Sequence, residues 1–200
     1  MRIYKILKKT NVEGPGNRFC IWVQGCSRHC KGCFAKETWD FSAGIEYSAD
    51  ELFHMINSQD DIEGVTFLGG EPFEQASDVL KLTKLIKAEN LSVVCFTGFK
   101  IEDLKSQNNN VINELLDNID LLIDGEFQQD NFNLNRPWTG SSNQRYIFLT
   151  DRYKLSDIMK YKNRVEIRIS DNGELVMNGM GDFKTLQSDI CLQDYKNIVK

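Results

Sequence analysis

Two hundred residues, 41% apolar and 26% charged, suffice for one buried core and exclude two full enzymatic domains, so a single domain over 1–200 is expected. No apolar run is long enough to span a bilayer, and Met1-Arg-Ile-Tyr-Lys lacks the apolar stretch and cleavage site of a secretory leader. A cytoplasmic location without membrane contact follows as the expectation, and a net charge of −5 speaks against broad attraction to nucleic acid, leaving small molecules or another protein as partners.

In chain order, the strand-like runs are 19–24, 64–68, 91–96, 120–123 and 145–149, mostly short, continuous and apolar, as in a parallel sheet buried on both faces. Helical patterns alternate with them. Ser48-Ala-Asp-Glu51 reads as a capping box ahead of Leu52, Met55 and Ile56. Val79, Leu82 and Ile86 repeat the spacing, and Ile112, Leu115 and Leu116 do so again. Strand–helix alternation implies βαβ units in an open α/β sheet or a barrel; five or six strands are too few for eight units, so a partial barrel is expected. Residues 126–143 form a polar stretch without periodicity, a candidate lid or partner-contact loop. Beyond it, 164–170 and 174–177 flank Asp171-Asn-Gly173 and read as a C-terminal β-hairpin.

Six cysteines in an intracellular chain should stay reduced. Cys20, Cys95 and Cys191 sit among apolar residues and receive no role. Cys26, Cys30 and Cys33 follow C-x3-C-x2-C directly after a strand, a spacing for thiolate ligation of iron–sulfur or zinc. Structural zinc usually takes four protein ligands, and the close extras are His29 and Cys20. Three cysteines on a four-iron cluster leave one iron open for substrate or cofactor. A catalytic cluster is therefore the favoured reading, with a noncatalytic zinc- or cluster-binding module as the alternative.

Cys26-x3-Cys30-x2-Cys33 together with Gly69-Gly-Glu-Pro72 at the end of the second strand resembles the radical S-adenosylmethionine (SAM) superfamily. Glu13-Gly-Pro-Gly16, Trp22-Val-Gln-Gly25, Gly32-Cys-Phe34, Thr38-Trp39, Thr97-Gly-Phe99, Leu122-Ile-Asp-Gly125 and Gly140-Ser-Ser-Asn-Gln-Arg145 narrow the resemblance to the activating proteins of anaerobic ribonucleotide reductases. Gly32 replaces the aromatic residue many radical SAM proteins carry before the third cysteine, which passes adenine contact to the backbone from Gly32 to Phe34. Glu126 stands where the family often has proline, and Asn17-Arg18-Phe19 where an Ile-Arg-Thr-type run is usual.

The resemblance implies a partial (β/α)6-type TIM barrel with the hairpin appended. It implies a [4Fe–4S] cluster on Cys26, Cys30 and Cys33, SAM as second cofactor, and a glycyl radical formed on a partner enzyme, with a flavodoxin- or ferredoxin-type electron donor. Backbone at Gly69 and Gly70 would lie against the methionyl moiety, while Glu71 would accept from its ammonium. Thr97 and Asp124, at strand ends, would contact cofactor or cation, and Asn143 and Arg145 the cofactor carboxylate or the partner. A stand-alone enzyme acting on another glycyl radical enzyme, a peptide or a small metabolite keeps the chemistry and changes the substrate.

Overall fold

The computed structural model describes residues 1–169, 172–173 and 175–181; Cys191 and part of the hairpin turn lie outside them. Nine strands are named within these residues: β1 Arg2–Thr10, β2 Arg18–Val23, β3 Ile45–Glu46, β4 Gly64–Gly69, β5 Ser92–Phe96, β6 Leu121–Asp124, β7 Arg145–Phe148, β8 Val165–Ile169 and β9 Leu175–Gly179. The α-helices are α1 Ala49–Asn57, α2 Ala76–Ala88, α3 Ile101–Ser106, α4 Asn110–Asp117 and α5 Leu155–Ile158. β1 to β7 make one mixed sheet in the order β3-β1-β2-β4-β5-β6-β7, and β8-β9 form the separate hairpin.

The four central strands, β2, β4, β5 and β6, run parallel. Each is followed by helix wherever the next strand is parallel, because a parallel return needs a crossover. One sheet face presents Phe19, Ile21, Phe67, Val93 and Leu122 to the apolar stripes of α1, α2 and α4, with Leu52, Ile56, Val79, Leu82, Ile86 and Leu115 fully buried. Each such side chain contributes about 1.5–3 kcal/mol by leaving water. α1 starts where its capping box predicts, with Ser48 accepting from the Glu51 N–H and Glu51 from the Ser48 N–H. The other face carries Cys20 and Leu68 beside Leu7, and Val94, Leu121 and Ile123 beside Trp138 and Ile158.

Two flanks depart from the sequence expectation. β1 joins β2 antiparallel with register shifts between Ile3 and Lys5 and between Leu7 and Thr10. Those irregularities break the two-residue alternation by which a strand is read. β7 pairs with β6 antiparallel, since residues 125–144 hold no α-helix to carry the chain back across the sheet. The six βα units expected are therefore not present among the described residues: four parallel strands stand between two antiparallel flanks. The fold is mixed α/β.

Arg18, wholly buried at the start of β2, holds the amino ends of the parallel strands together. Its guanidinium donates to Thr66 Oγ1 (2.7 Å), Val65 O (2.6 Å), Ser92 Oγ (2.9 Å), Ser92 O (3.0 Å) and Pro15 O (3.1 Å), all carbonyl or hydroxyl oxygens. Gly14 makes room, since a Cβ there would lie 2.6 Å from Arg18 Cδ. Arg18→Met should cost about 3 kcal/mol or more in chemical denaturation, because several buried acceptors lose their donor at once.

Glu13, 3% exposed, fastens the hairpin to the β1–β2 connection: its Oε1 accepts from the Gly179 N–H at 2.6 Å. Burial pushes this carboxyl up from 4.5 to about 7. An acid raised in this way holds a proton in the folded chain that the unfolded chain has already released, so its contribution to stability falls from about pH 4.5 to about 7 and then levels. Glu13→Gln keeps the acceptor and should flatten this part of the decline; melting temperatures at pH 5 and pH 7.5 provide the check.

Candidate functional site

Gln24 and Gly25 follow β2, and the chain folds back so that residues 37–40 close over the start of the cysteine loop. Gly25 N–H donates to Thr38 O at 2.7 Å and Cys26 N–H to Trp39 O at 3.2 Å, while Gln24 Nε2 donates to Glu37 O and Asp40 O. Within the loop, Cys33 N–H closes a turn onto Cys30 O at 3.1 Å. Ala35 N–H donates to Cys33 Sγ at 3.4 Å, while the backbone at Arg28 and His29 favours the Cys26 thiolate and that at Phe127 the Cys30 thiolate.

Such donors favour thiolate, whereas burial opposes it and pushes Cys26 up to about 11 and Cys30 above its ordinary value. A cationic centre reverses that balance, because metal-bound cysteine is deprotonated outright. The donor set suits an iron–sulfur cluster: three free thiols on one short loop whose backbone favours thiolate. The extras considered for zinc have other surroundings. Cys20 is buried in the sheet beside Leu7 and Leu68, and His29 stacks on Trp39 with ring centroids 4.5 Å apart. Among the described residues no three His, Cys, Asp or Glu side chains form a single-ion site.

A cavity of about 340 Å³ opens at the carboxyl ends of the parallel strands, lined by Trp22, Leu68, Gly69 and Phe96, with Cys33 and Phe34 beside them. This size and position suit a small-molecule cofactor. The Gly69-Gly-Glu-Pro72 turn is stitched to the cysteine loop, Gly70 N–H donating to Val23 O and Glu71 N–H to Gly25 O, both at 2.9 Å. Gly70 is obligatory there, because a Cβ would collide with the Gly25 carbonyl.

Of the residues named from sequence, Cys33, Phe34 and Gly69 line this cavity. Gly32 faces Gln129, whose Oε1 would meet a Cβ at 2.9 Å. The Glu71 carboxylate is 1% exposed and already accepts from Thr97 Oγ1 (2.8 Å), Gly98 N–H (2.8 Å) and Phe73 N–H (3.1 Å). Glu71 and Thr97 are thus joined to each other, tying the β4 end to the β5 end. Burial raises Glu71 to about 7.

Asp124 and Arg145, expected at the mouth, are directed elsewhere. They face each other across β6–β7, with Arg145 Nε donating to Asp124 Oδ1 at 2.9 Å, while Asp124 Oδ2 also takes the Ile101 N–H that opens α3. Arg145 further pairs with Glu102 at 2.7 Å, and neither Asp124 nor Arg145 lines the cavity. A fully buried carboxylate needs such a partner, and the arginine opposite it in register supplies one. Asn143 spends its amide on Glu126 O at 2.9 Å, and its Oδ1 is buried without a partner. Sequence reasoning passed over Arg28, Phe127 and Gln144; Gln144, within the Gly140–Arg145 motif, accepts the Gly140 and Ser141 N–H groups and closes the neck of the 126–143 loop.

Residues 12–147 match the family described as a 4Fe-4S single cluster domain. The anaerobic ribonucleoside-triphosphate reductase-activating protein of Escherichia coli strain K12 is 34% identical over 141 residues, 66% of this chain and 89% of its own length. Its counterpart from Haemophilus influenzae is 32% identical over 152 residues, 72% and 93% of the two chains. The crystal structure of QueE from Escherichia coli aligns over 48% of this chain and 52% of its own, with 25% identity and a TM-score of 0.40. The motif resemblance thus holds along most of the length, and the chain belongs to the family of anaerobic ribonucleoside-triphosphate reductase-activating proteins.

Proposed function

We propose that this chain is a radical SAM activase that forms a glycyl radical on an anaerobic ribonucleoside-triphosphate reductase, with Cys26, Cys30 and Cys33 as the three protein ligands of a [4Fe–4S] cluster. The observation that carries the reading is the cysteine loop, which borders a cofactor-sized cavity at the strand ends and sends Cys33 into its wall. When bound, the cluster supplies one electron that splits SAM into methionine and a 5′-deoxyadenosyl radical, which takes a hydrogen atom from a glycine and becomes 5′-deoxyadenosine.

The remaining work belongs to the chain's own residues. Gly69 and Gly70 offer bare backbone against the methionyl moiety, and Phe34 with the backbone from Gly32 walls the adenine side. Glu71 and Thr97 act by fixing the two strand-end turns relative to each other, because their hydrogen-bonding atoms are engaged together. Asp124 and Arg145 position β6, β7 and α3. Asn143 Oδ1 is, with Gln24 Oε1 and Asn178 Oδ1, one of the buried acceptors without a donor among the described residues, and we assign it to the cofactor or to a partner strand. We read the sheet as the partial barrel of a single radical SAM domain, cytoplasmic, with electrons from a flavodoxin- or ferredoxin-type protein.

The partner would meet the rim. Phe34 packs edge-on to Phe127 at 5.4 Å and tilted to Phe132 at 6.3 Å, yet Phe34 and Phe132 stay 55% and 45% exposed. Exposed aromatic groups beside a site are strong anchors for a protein partner. Phe132→Ala should weaken activation of the reductase about tenfold at limiting partner, the ~1.4 kcal/mol scale of one interfacial aromatic. Dithionite-driven SAM cleavage without the partner should stay within about twofold of the parent. Equal loss in both assays would remove the docking role.

The primary test is anaerobic. Protein reconstituted with iron and sulfide, then given dithionite and SAM in the presence of the reductase, should yield 5′-deoxyadenosine, and Cys30→Ala should yield none. A colourless protein holding zinc, or a cluster-loaded protein making no product with its partner present, would overturn the reading.

A further inference from the structure

We infer that Arg28 and Glu126 are an opposed charge pair that tunes the reduction potential of the iron–sulfur cluster, Arg28 raising it and Glu126 lowering it. This rests on the cluster reading above. Arg28 lies between Cys26 and Cys30, and its Nη2 donates to Glu126 Oε2 at 2.9 Å. The guanidinium carbon lies 4.9 Å from the centroid of the Phe99 ring, which holds the cation against the β5 end. Arg28 Nε is buried and has no acceptor, so one edge of the cation is left for a group the protein does not provide.

Arg28 stands two residues from both Cys26 and Cys30, and Glu126 precedes Phe127, whose backbone favours the Cys30 thiolate. The pair is thereby placed at the cysteine loop itself.

Reduction adds one negative charge to the cluster. A fixed cation nearby stabilises that state and a carboxylate destabilises it, by amounts that grow where water is excluded. Arg28 is the more buried partner, 31% exposed against 44% for Glu126, so its field is the less screened of the two. The pair acts on the electron; neither side chain is assigned a contact with substrate.

The experiment is a potentiometric titration of reconstituted protein, followed by electron paramagnetic resonance, with iron and sulfide counted in every sample. Arg28→Gln should shift the midpoint down and Glu126→Gln should shift it up. The double variant should return toward the parent, and Arg28→Lys, which keeps the charge and loses the planar fork, should stay with it. A role confined to packing would move both single variants in the same direction or neither, and that result with four irons retained would overturn the inference. A parent protein that takes up iron and sulfide but shows no one-electron couple would overturn it too. A parent that takes up neither would fail at the level of the cluster itself, a distinct outcome read from the metal count before any potential is measured.

Discussion

The architecture depends on a buried guanidinium at the opposite end of the sheet from the cysteines. Arg18 gathers Pro15 O, Val65 O, Thr66 Oγ1 and both oxygens of Ser92, and so fixes β2, β4 and β5 to one another at their amino ends. A charge removed from water is costly unless every donor finds an oxygen, and these bonds, with a sixth to Tyr153 Oη at 3.3 Å, satisfy it in one geometry. With that end locked, the loops leaving the carboxyl ends are free to carry chemistry without carrying the fold. Ser92 Oγ also accepts from Tyr153 at 2.7 Å, which draws the chain beyond β7 into the same knot.

At the carboxyl ends the loops are held by hydrogen bonds and not by a shared core. Gly70 and Glu71 donate to Val23 O and Gly25 O, which sets the β4 turn against the root of the cysteine loop. The Glu71 carboxylate then reaches across to Thr97 and Gly98, so three consecutive strand ends are registered through one acid. That acid is raised to about 7 because its burial outweighs its donors. It is neutralised more readily than an exposed glutamate.

What the sequence disclosed follows from how local each signal is. The Ser48–Glu51 capping box and the apolar stripe at Val79, Leu82 and Ile86 depend on neighbours within a turn or two, and both are found in the structure where the pattern puts them. The direction of β7 and the number of parallel units depend on what the intervening chain does, and a polar stretch with no period carries no such information. Side-chain roles divide in the same way. Gly70 is legible because a motif places backbone against backbone. The engagement of Asp124 with Arg145 is a cross-strand pairing 21 residues apart, and a strand-end carboxylate reads identically whether it awaits a ligand or an arginine.

The segment 126–143 joins these two levels. Read from its polarity as a candidate lid or partner-contact loop, it is pinned at its neck by Gln144 and Asn143 and bridged internally between Phe132 and Ser141. Its first residues touch the cysteine loop at three points: Glu126 on Arg28, Phe127 on Cys30, Gln129 over Gly32. Its middle offers Phe132 to solvent beside Phe34. A partner pressing on those rings would bear on a loop whose other end lies against the cysteine loop through Glu126 and Arg28, about six residues of backbone away, Phe127 to Phe132.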